Sequence, residues 1–170
     1  MPRKPKALPA PALFNYALKS LAARARSVTE LRRMLERRAE RKADTENILR
    51  RLKDLGYLND EKFAQAYAAW RLENQRLGRF RVERDLRARL IAPRLAERAV
   101  EQAYQNVDEA ELLRQHLARR LRRTGPPKDR RRLASLYRHL LGAGFSAGAI
   151  LAELRQLSRG DTDWLEELAD

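Results

Sequence analysis

The sequence contains no cysteine, which excludes disulfide bonds, thiolate zinc sites and cysteine nucleophiles. Histidine is scarce too: His116 and His139 both lie beside leucine on predicted helices, which favours a surface or core role over metal binding. Aromatic residues make up only 6% of the chain and mostly fall on predicted core positions, so we expect no exposed platform for stacking nucleic-acid bases.

Long apolar runs are also missing. None approaches the roughly 18 residues needed to span a bilayer. The opening "MPRKPKALPAPA" lacks the continuous apolar segment of a secretion signal. We therefore expect a cytoplasmic protein.

The familiar motifs of catalysis are absent as well. The chain has no Gly-rich phosphate loop with its lysine, no paired-histidine metal motif and no serine elbow. The glycines of "GAGFSAG" (142–148) lack a preceding strand and a lysine, so caps of two successive helices explain them better. We expect no enzymatic activity, no cofactor and no bound metal.

Basic residues are the abundant feature. The chain carries 37 Lys and Arg against 23 Asp and Glu, a formal net charge of +14, which favours polyanions or an acidic protein surface as partners. Most are arginine, whose planar guanidinium suits bidentate contacts to carboxylate or phosphate. Between Arg119 and Arg138 nine basic residues accompany one acid, whereas Asp161–Asp170 holds five acids and no base.

Apolar residues recur three and four positions apart from Ala12 onward, with almost no strand-like alternation, so the pattern predicts an all-α fold. Ser27 and Glu30 predict a capping box, Gly56 predicts a left-handed C-terminal cap, and Asn59 or Asp60 can cap the following helix. The stripes assigned to the core include Leu55 of the third helix and, in the fourth, Phe63, Ala66, Tyr67 and Trp70.

Internal repetition organises the nine predicted helices. The third helix of each set aligns with the others at an offset of about 51 residues, as in Ile48, Ala99 and Ile150. Three tandem three-helix repeats forming an elongated, curved right-handed or solenoid-like array are the simplest prediction. We place a disordered basic leader at 1–10, repeats at 11–58, 59–107 and 108–158, and an acidic C-terminal tail at 159–170. One irregular bundle with coincidental spacing is the alternative.

Several segments resemble the RecX regulatory proteins. "GYLND" followed by "KFAQAYAAWR", then Gly78 and "RVERDL", is similar to the central signature of that family. "RARSVTELRRML" resembles the first-unit pattern, and "RRLASLYRHLLGAGFSAGAILAEL" resembles the closing unit. The likeness covers residues 13–157.

The resemblance implies a small cytoplasmic bacterial protein that binds the RecA recombinase, above all the RecA filament on single-stranded DNA, and curbs its activity. It also implies a curved body of three tandem three-helix units, with direct DNA binding in many members. In the family, glycine usually precedes the isoleucine that closes the middle helix of the second unit. This chain has Leu90 before Ile91 there, so we expect a different turn. The resemblance does not extend to the acidic tail.

The function that we predict is non-enzymatic inhibition of RecA by a monomer that binds the RecA filament. We expect it to contact single-stranded and double-stranded DNA through the phosphate backbone. The solvent-facing basic residues predicted to contact the partner or DNA are Arg24, Arg26, Arg71, Arg76, Arg79, Arg81, Arg119, Arg120, Arg122, Arg123, Lys128, Arg130, Arg131 and Arg132. The alternative function is a helix-turn-helix duplex DNA-binding protein or transcription factor. A basic protein at a membrane surface fits less well, because the apolar stripes are needed for packing.

Overall fold

The computed structural model describes residues 7–157, and these residues form an all-α structure without a regular strand. Their nine α-helices are α1 (Ala10–Ala23), α2 (Val28–Glu36), α3 (Lys42–Asp54), α4 (Asp60–Trp70), α5 (Arg79–Ala88), α6 (Pro93–Tyr104), α7 (Glu109–Thr124), α8 (Arg130–Gly142) and α9 (Ala147–Leu157). A π-helical turn, Arg71–Gln75, continues α4. The all-α prediction is confirmed.

The described residues divide into two compact units. The first holds the chain up to Tyr67 and Leu86–Ala99, and the second holds Ala68–Asp85 and the chain from Val100. Helices α4, α5 and α6 each contribute residues to both units, so the predicted middle repeat, 59–107, is shared between them. The three-repeat boundaries therefore stay a prediction.

Leucine-rich stripes form the core of the first unit. Helices α1, α2 and α3 pack against one another, and their fully buried side chains include Leu13, Leu31, Leu35, Leu49 and Leu52. In the second unit α9 packs against both α7 and α8. Burying each such side chain contributes about 1.5 to 3 kcal/mol.

Buried positions recur through the sequence. Leu31, Val82 and Leu133 are all buried and lie about 51 residues apart on α2, α5 and α8. The same spacing relates three further triplets of buried residues: Leu35, Leu86 and Tyr137; Ile48, Ala99 and Ile150; Leu49, Val100 and Leu151. The repetition predicted for the third helices therefore extends to the middle helices.

The predicted caps are observed in the first unit. Ser27 Oγ accepts a hydrogen bond from the Glu30 amide at 3.0 Å, and the Ser27 amide donates to Glu30 Oε2 at 3.1 Å, which completes the capping box. Gly56 has a positive φ of 75° after α3. Asn59 caps α4 by accepting from the Lys62 amide at 2.9 Å.

Three core assignments are wrong, and one of them is Ala66 of α4, which is exposed. Leu55 is 54% exposed, because α3 ends there and the chain reverses at Gly56 before Leu58 becomes buried. Trp70 is 50% exposed, and in α4 Ala64 and Ala68 are the fully buried side chains. The sequence favoured aromatic rings for the interior, but small residues on the adjacent stripe allow closer helix packing.

The predicted disordered leader extended to Ala10, but its last residues are ordered by contacts with the first unit. Leu8 forms an isolated parallel β-bridge with Ala39, in which the Leu8 amide donates to Arg38 O at 2.6 Å. Helix α1 begins at Ala10, with Pro11 in its first turn. Residues 1–6 of the leader, and the acidic tail from residue 159, lie outside the described residues.

The turn after α5 is the same kind that glycine forms elsewhere in this chain. Leu90 has a positive φ of 62°, and the Leu90 and Ile91 amides donate to Arg87 O at 2.9 Å and Leu86 O at 3.2 Å. Gly144 closes α8 with the same pair of hydrogen bonds. The expected difference in the turn is therefore not observed, and leucine accepts a conformation that costs about 1 to 2 kcal/mol.

Two glycines let the start of α5 approach the end of α8 in the second unit. The Gly78 amide donates to Ala143 O at 2.9 Å, and the Phe80 amide donates to Gly144 O at 3.3 Å. A Cβ at Gly78 would lie 2.2 Å from Gly144 O, and one at Gly144 would lie 2.3 Å from the Arg81 amide nitrogen. A residue larger than glycine at position 78 or 144 would therefore clash with the backbone of the other segment.

We expect Gly78→Ala and Gly144→Ala each to lower the free energy of unfolding by about 1 to 3 kcal/mol, the usual cost of overpacking. Gly144→Ala should be the worse variant, since its φ of 94° adds backbone strain. Urea unfolding measures both. Gly148→Ala is the matched control, because a Cβ there meets nothing within 4 Å. Equal stability of all three variants would contradict the close approach.

Candidate nucleic-acid and partner interface

The two predicted contact residues of the first unit bond within that unit. Arg24 Nη2 lies 3.1 Å from Glu30 Oε1, the carboxylate that also completes the capping box of α2. Arg26 Nε donates to Ser20 O at 3.2 Å. Because Ser20 belongs to the last turn of α1, Arg26 supplies a donor for an end carbonyl of that helix.

Arg71 and Arg81 share one carboxylate in the second unit. Arg71 donates to Asp85 and Gln75, and Arg81 Nε donates to Asp85 Oδ1 at 2.9 Å. The side chains of Arg71 and Asp85 are each only 16% exposed. Arg81 also donates to Gly142 O at 3.1 Å, which ties it to the glycine contact described above. This network has a structural role.

Arg76 and Arg79 lie on either side of the turn that starts α5. Arg76 has a positive φ of 50°, and its Nη1 donates to Gln115 Oε1 at 2.7 Å. Arg79 Nε lies 3.2 Å from Glu109 Oε1 at the start of α7. All six predicted contact residues that precede α7 therefore have partners within their own unit.

The other eight predicted contact residues surround one turn of the second unit. They lie in the last turns of α7, in the connection Gly125–Asp129 and in the first turn of α8. We call them the α7–α8 basic segment: Arg119, Arg120, Arg122, Arg123, Lys128, Arg130, Arg131 and Arg132. The structure places these residues around one turn, and all except the half-buried Arg120 are exposed.

The sequence places the basic segment at helix ends for a physical reason. Asp129 caps α8 by accepting from the Arg132 amide at 2.8 Å, while Gly125 ends α7 with a φ of 72°. Arg132 Nε lies 3.8 Å from Asp129 Oδ2, a surface pair of small energetic value. Within residues 7–157, no hydrogen bond or ion pair occupies Arg119, Arg122 or Arg123.

A cavity of about 370 Å³ opens beside this segment. Arg120 and Arg132 stand on its wall, and its apolar lining comes from Leu121, Leu136 and the two prolines of the turn. The site therefore combines positive charge with an apolar recess. The sequence indicates the charge but not the recess, because a recess depends on how α7 and α8 pack.

Both histidines lie beside the second unit's core. The ring centroids of His116 and His139 are 5.7 Å apart, and the His116 and Phe145 centroids are 5.5 Å apart in an edge-to-face arrangement. His116 Nδ1 lies 3.2 Å from Arg76 O. Burial is the main cause that lowers the pKa of His116, and burial followed by the charge of Arg120 lowers the pKa of His139.

Other chemistry is limited in the described part of the chain. Residues 7–157 contain no group of three or more His, Asp or Glu side chains placed to hold a metal ion. The same residues contain no helix with the length and apolar character that a membrane span requires. The α7–α8 basic segment therefore remains the candidate site among these residues.

Some arginines cover aromatic rings instead of facing a partner. Their guanidinium carbons lie between 4.4 and 4.9 Å from the ring centroids in the pairs Arg38 with Tyr16, Arg51 with Phe14, and Arg89 with Tyr67. Such contacts stabilise by about 0.5 to 1 kcal/mol at exposed sites. The periodicity of the sequence did not reveal these roles.

The fold and the basic segment define a small all-α helical-repeat protein with an exposed arginine-rich surface. Residues 59–100 match the second three-helix domain of RecX. The regulatory protein RecX of Deinococcus radiodurans is 35% identical over 161 residues, covering 92% of this chain and 74% of that protein. The Streptomyces coelicolor protein of the same name is 31% identical over 153 residues, covering 90% of this chain and 81% of that protein.

Solved structures agree with the fold. The crystal structure of RecX from Lactobacillus salivarius matches with a TM-score of 0.70 at 21% identity, covering 88% of this chain and 97% of that one. A second crystal structure of a regulatory protein RecX matches with a TM-score of 0.67. The chain belongs to the RecX family, so the resemblance stated from its motifs is confirmed.

We expect arginines that bond within their own unit, such as Arg71, to contribute more to stability than exposed arginines of the α7–α8 basic segment, such as Arg122. Arg71→Ala should lower the free energy of unfolding by about 1 to 3 kcal/mol, because it leaves the half-buried Asp85 with one partner fewer. Arg122→Ala should change it by less than about 0.5 kcal/mol, since the side chain removed is exposed and has no partner among residues 7–157. Thermal or urea unfolding measures both, and equal losses would contradict the division.

Stability should also depend on the histidines at mildly acidic pH. Their pKa values are lowered from 6.5 in the folded chain, so below pH 6.5 the unfolded chain binds more protons and stability decreases. The double variant His116→Gln, His139→Gln should show a shallower decrease between pH 6.5 and the lowered folded values. Urea unfolding across this range, with the native chain as reference, measures the difference. Identical slopes would exclude the histidines as its source.

Proposed function

We propose that this protein is a non-enzymatic regulator that inhibits the RecA recombinase by binding the RecA filament on single-stranded DNA. Binding would modulate filament assembly, ATP turnover and strand exchange. Membership of a family whose members are named regulatory proteins supports a regulatory role. The observation that carries the DNA-binding part is the exposed α7–α8 basic segment, in which Arg119, Arg122 and Arg123 have no hydrogen bond or ion pair within residues 7–157.

The chemistry of the basic segment suits phosphates. Arginine donates in a planar fork that matches two phosphate oxygens, and here several guanidinium groups project from two helix ends and the turn between them. Such contacts position a nucleic acid without reading its bases. We therefore propose weak sequence preference on single-stranded DNA, and on double-stranded DNA where it binds.

A filament is a suitable target because it repeats. A protein that touches neighbouring protomers, or a protomer and its DNA, converts the second contact into an intramolecular event with a high effective concentration. Individually modest contacts then suffice for tight binding. On this proposal the protein acts as a cytoplasmic monomer and needs no cofactor.

The double variant Arg122→Ala, Arg123→Ala should weaken binding to single-stranded DNA and to the filament. If the native chain neutralises about six phosphates, log affinity should fall with log salt at a slope near −4, and the variant should lose about 0.7 per phosphate contact removed. Fluorescence anisotropy on labelled DNA at several salt concentrations measures the slope, and RecA ATPase on single-stranded DNA measures inhibition.

The double variant Arg94→Ala, Arg98→Ala is the matched control for these measurements. It removes the same charge from exposed positions of α6. Loss of affinity equal to that of Arg122→Ala, Arg123→Ala would mean that net charge alone governs binding. A native chain that leaves RecA ATPase unchanged at every ratio would contradict the proposed regulation.

A duplex DNA-binding protein of helix-turn-helix type is the second candidate. The observation in its favour is that α7 and α8 are joined by a short turn, with exposed arginines in the first turn of α8, where such proteins contact base edges. It predicts sequence-selective binding to duplex DNA without RecA. Selection of bound sequences from a random duplex pool tests it directly.

A further inference from the structure

The cavity beside the α7–α8 basic segment has a composition that phosphate binding does not explain. Its lining is Arg120, Leu121, Thr124, Gly125, Pro126, Pro127, Arg132, Ser135 and Leu136. The volume of about 370 Å³ is at the lower end for pockets that hold a ligand. A phosphate backbone satisfies the arginines but leaves the leucine and proline surface in contact with water.

An acidic peptide with a bulky apolar side chain would match both parts of this surface. Carboxylates pair with the arginines on the cavity wall, and an aromatic side chain that buries 150 to 250 Å² of surface would occupy the apolar recess. Peptide segments are recognised in this way by grooves that combine apolar pockets with basic side chains.

The chain itself contains such a segment. Asp161–Asp170 carries five acidic residues and no basic residue, and among them stand Trp164, Leu165 and Leu168. It follows α9, which ends at Leu157. An extended chain spans up to about 3.3 Å per residue, so the seven residues 158–164 allow Trp164 to lie up to roughly 23 Å from the end of α9.

We propose that Asp161–Asp170 docks on the α7–α8 basic segment of the same chain, with Trp164 in the cavity and its carboxylates on the surrounding arginines. Tethering places the segment at an effective concentration in the millimolar range, so a weak contact is enough to populate the docked form. The docked segment competes with phosphate for the same arginines. The part concerning DNA rests on the proposed function, whereas the docking itself does not.

Trp164 provides a direct readout of docking. The chain has two tryptophans, and the exposed Trp70 can be replaced by phenylalanine so that Trp164 alone fluoresces. In full-length Trp70→Phe, we expect Trp164 to emit at shorter wavelength and to be quenched less by acrylamide than in a synthetic peptide of residues 158–170. Because the attraction is ionic, 1 M salt should restore much of the quenching.

Three variants in the Trp70→Phe chain locate the contact. Arg120→Glu with Arg132→Glu should expose Trp164 by reversing the charge of the cavity wall. Ser135→Phe should also expose it, because the new side chain occupies the cavity without changing any charge. Arg94→Glu with Arg98→Glu should leave Trp164 shielded, since these exposed arginines lie on α6. Far-UV circular dichroism verifies that each variant is folded.

The outcomes separate cleanly. Shielding that is lost in the two cavity variants and kept in the α6 variant supports the proposal. A Trp164 that is as exposed in the Trp70→Phe chain as in the peptide overturns it, and so does shielding that is lost in all three variants or kept in all three. Shielding that increases with protein concentration assigns the site to the tail of a second copy and overturns docking within one chain. None of these readings needs DNA or RecA, so they do not depend on the proposed function.

The consequence for DNA is a separate measurement. If the docked form accounts for about 90% of molecules, neutralising the five carboxylates to Asn or Gln should tighten single-stranded DNA binding about tenfold at low salt. Unchanged affinity together with a shielded Trp164 would overturn the competition. Absence of DNA binding in both chains would instead contradict the proposed function and leave the fluorescence result standing.

Discussion

Each helix of this chain has one apolar stripe that must be removed from water, and the rest of the structure depends on that constraint. Buried residues recur about every 51 positions, as Leu31, Val82 and Leu133 show, so each helix set presents a similar inner face. Burial of these stripes is the main favourable contribution to folding. The outer faces are left open to polar residues, and arginine is common there because it is a good helix former.

The arginines of the outer faces divide according to the carboxylates and carbonyls that surround them. Arg71 and Arg81 share Asp85, and their removal would disturb the second unit itself. Arg122 and Arg123 have no such neighbour within residues 7–157, so no bond to that part of the chain has to be broken before a partner binds them. A charge that remains unpaired in the folded chain is therefore the better indicator of a binding surface than the abundance of charge.

Local chemistry was predictable wherever neighbouring residues decide it. The capping box of Ser27 and Glu30 and the left-handed Gly56 depend on contacts a few residues apart, and both are observed. Leu90 shows the limit of this reasoning. A leucine there predicted another turn, but the buried Leu86 and Ile91 on either side hold the backbone in the conformation that glycine would adopt. Tertiary packing outweighed the local preference of about 1 to 2 kcal/mol.

The sequence by itself determined the helical fold, its repetition, its positive charge and, through its motifs, its membership of the RecX family. Those properties follow from periodicity and composition, which do not depend on distant contacts. Only the tertiary structure decided that Trp70 faces solvent, that six predicted contact arginines bond within their own units, and that an apolar cavity opens beside Arg120 and Arg132. The reason is that each of these depends on which helices pack together, and a helix's own sequence specifies its apolar face without specifying the residues that will meet it.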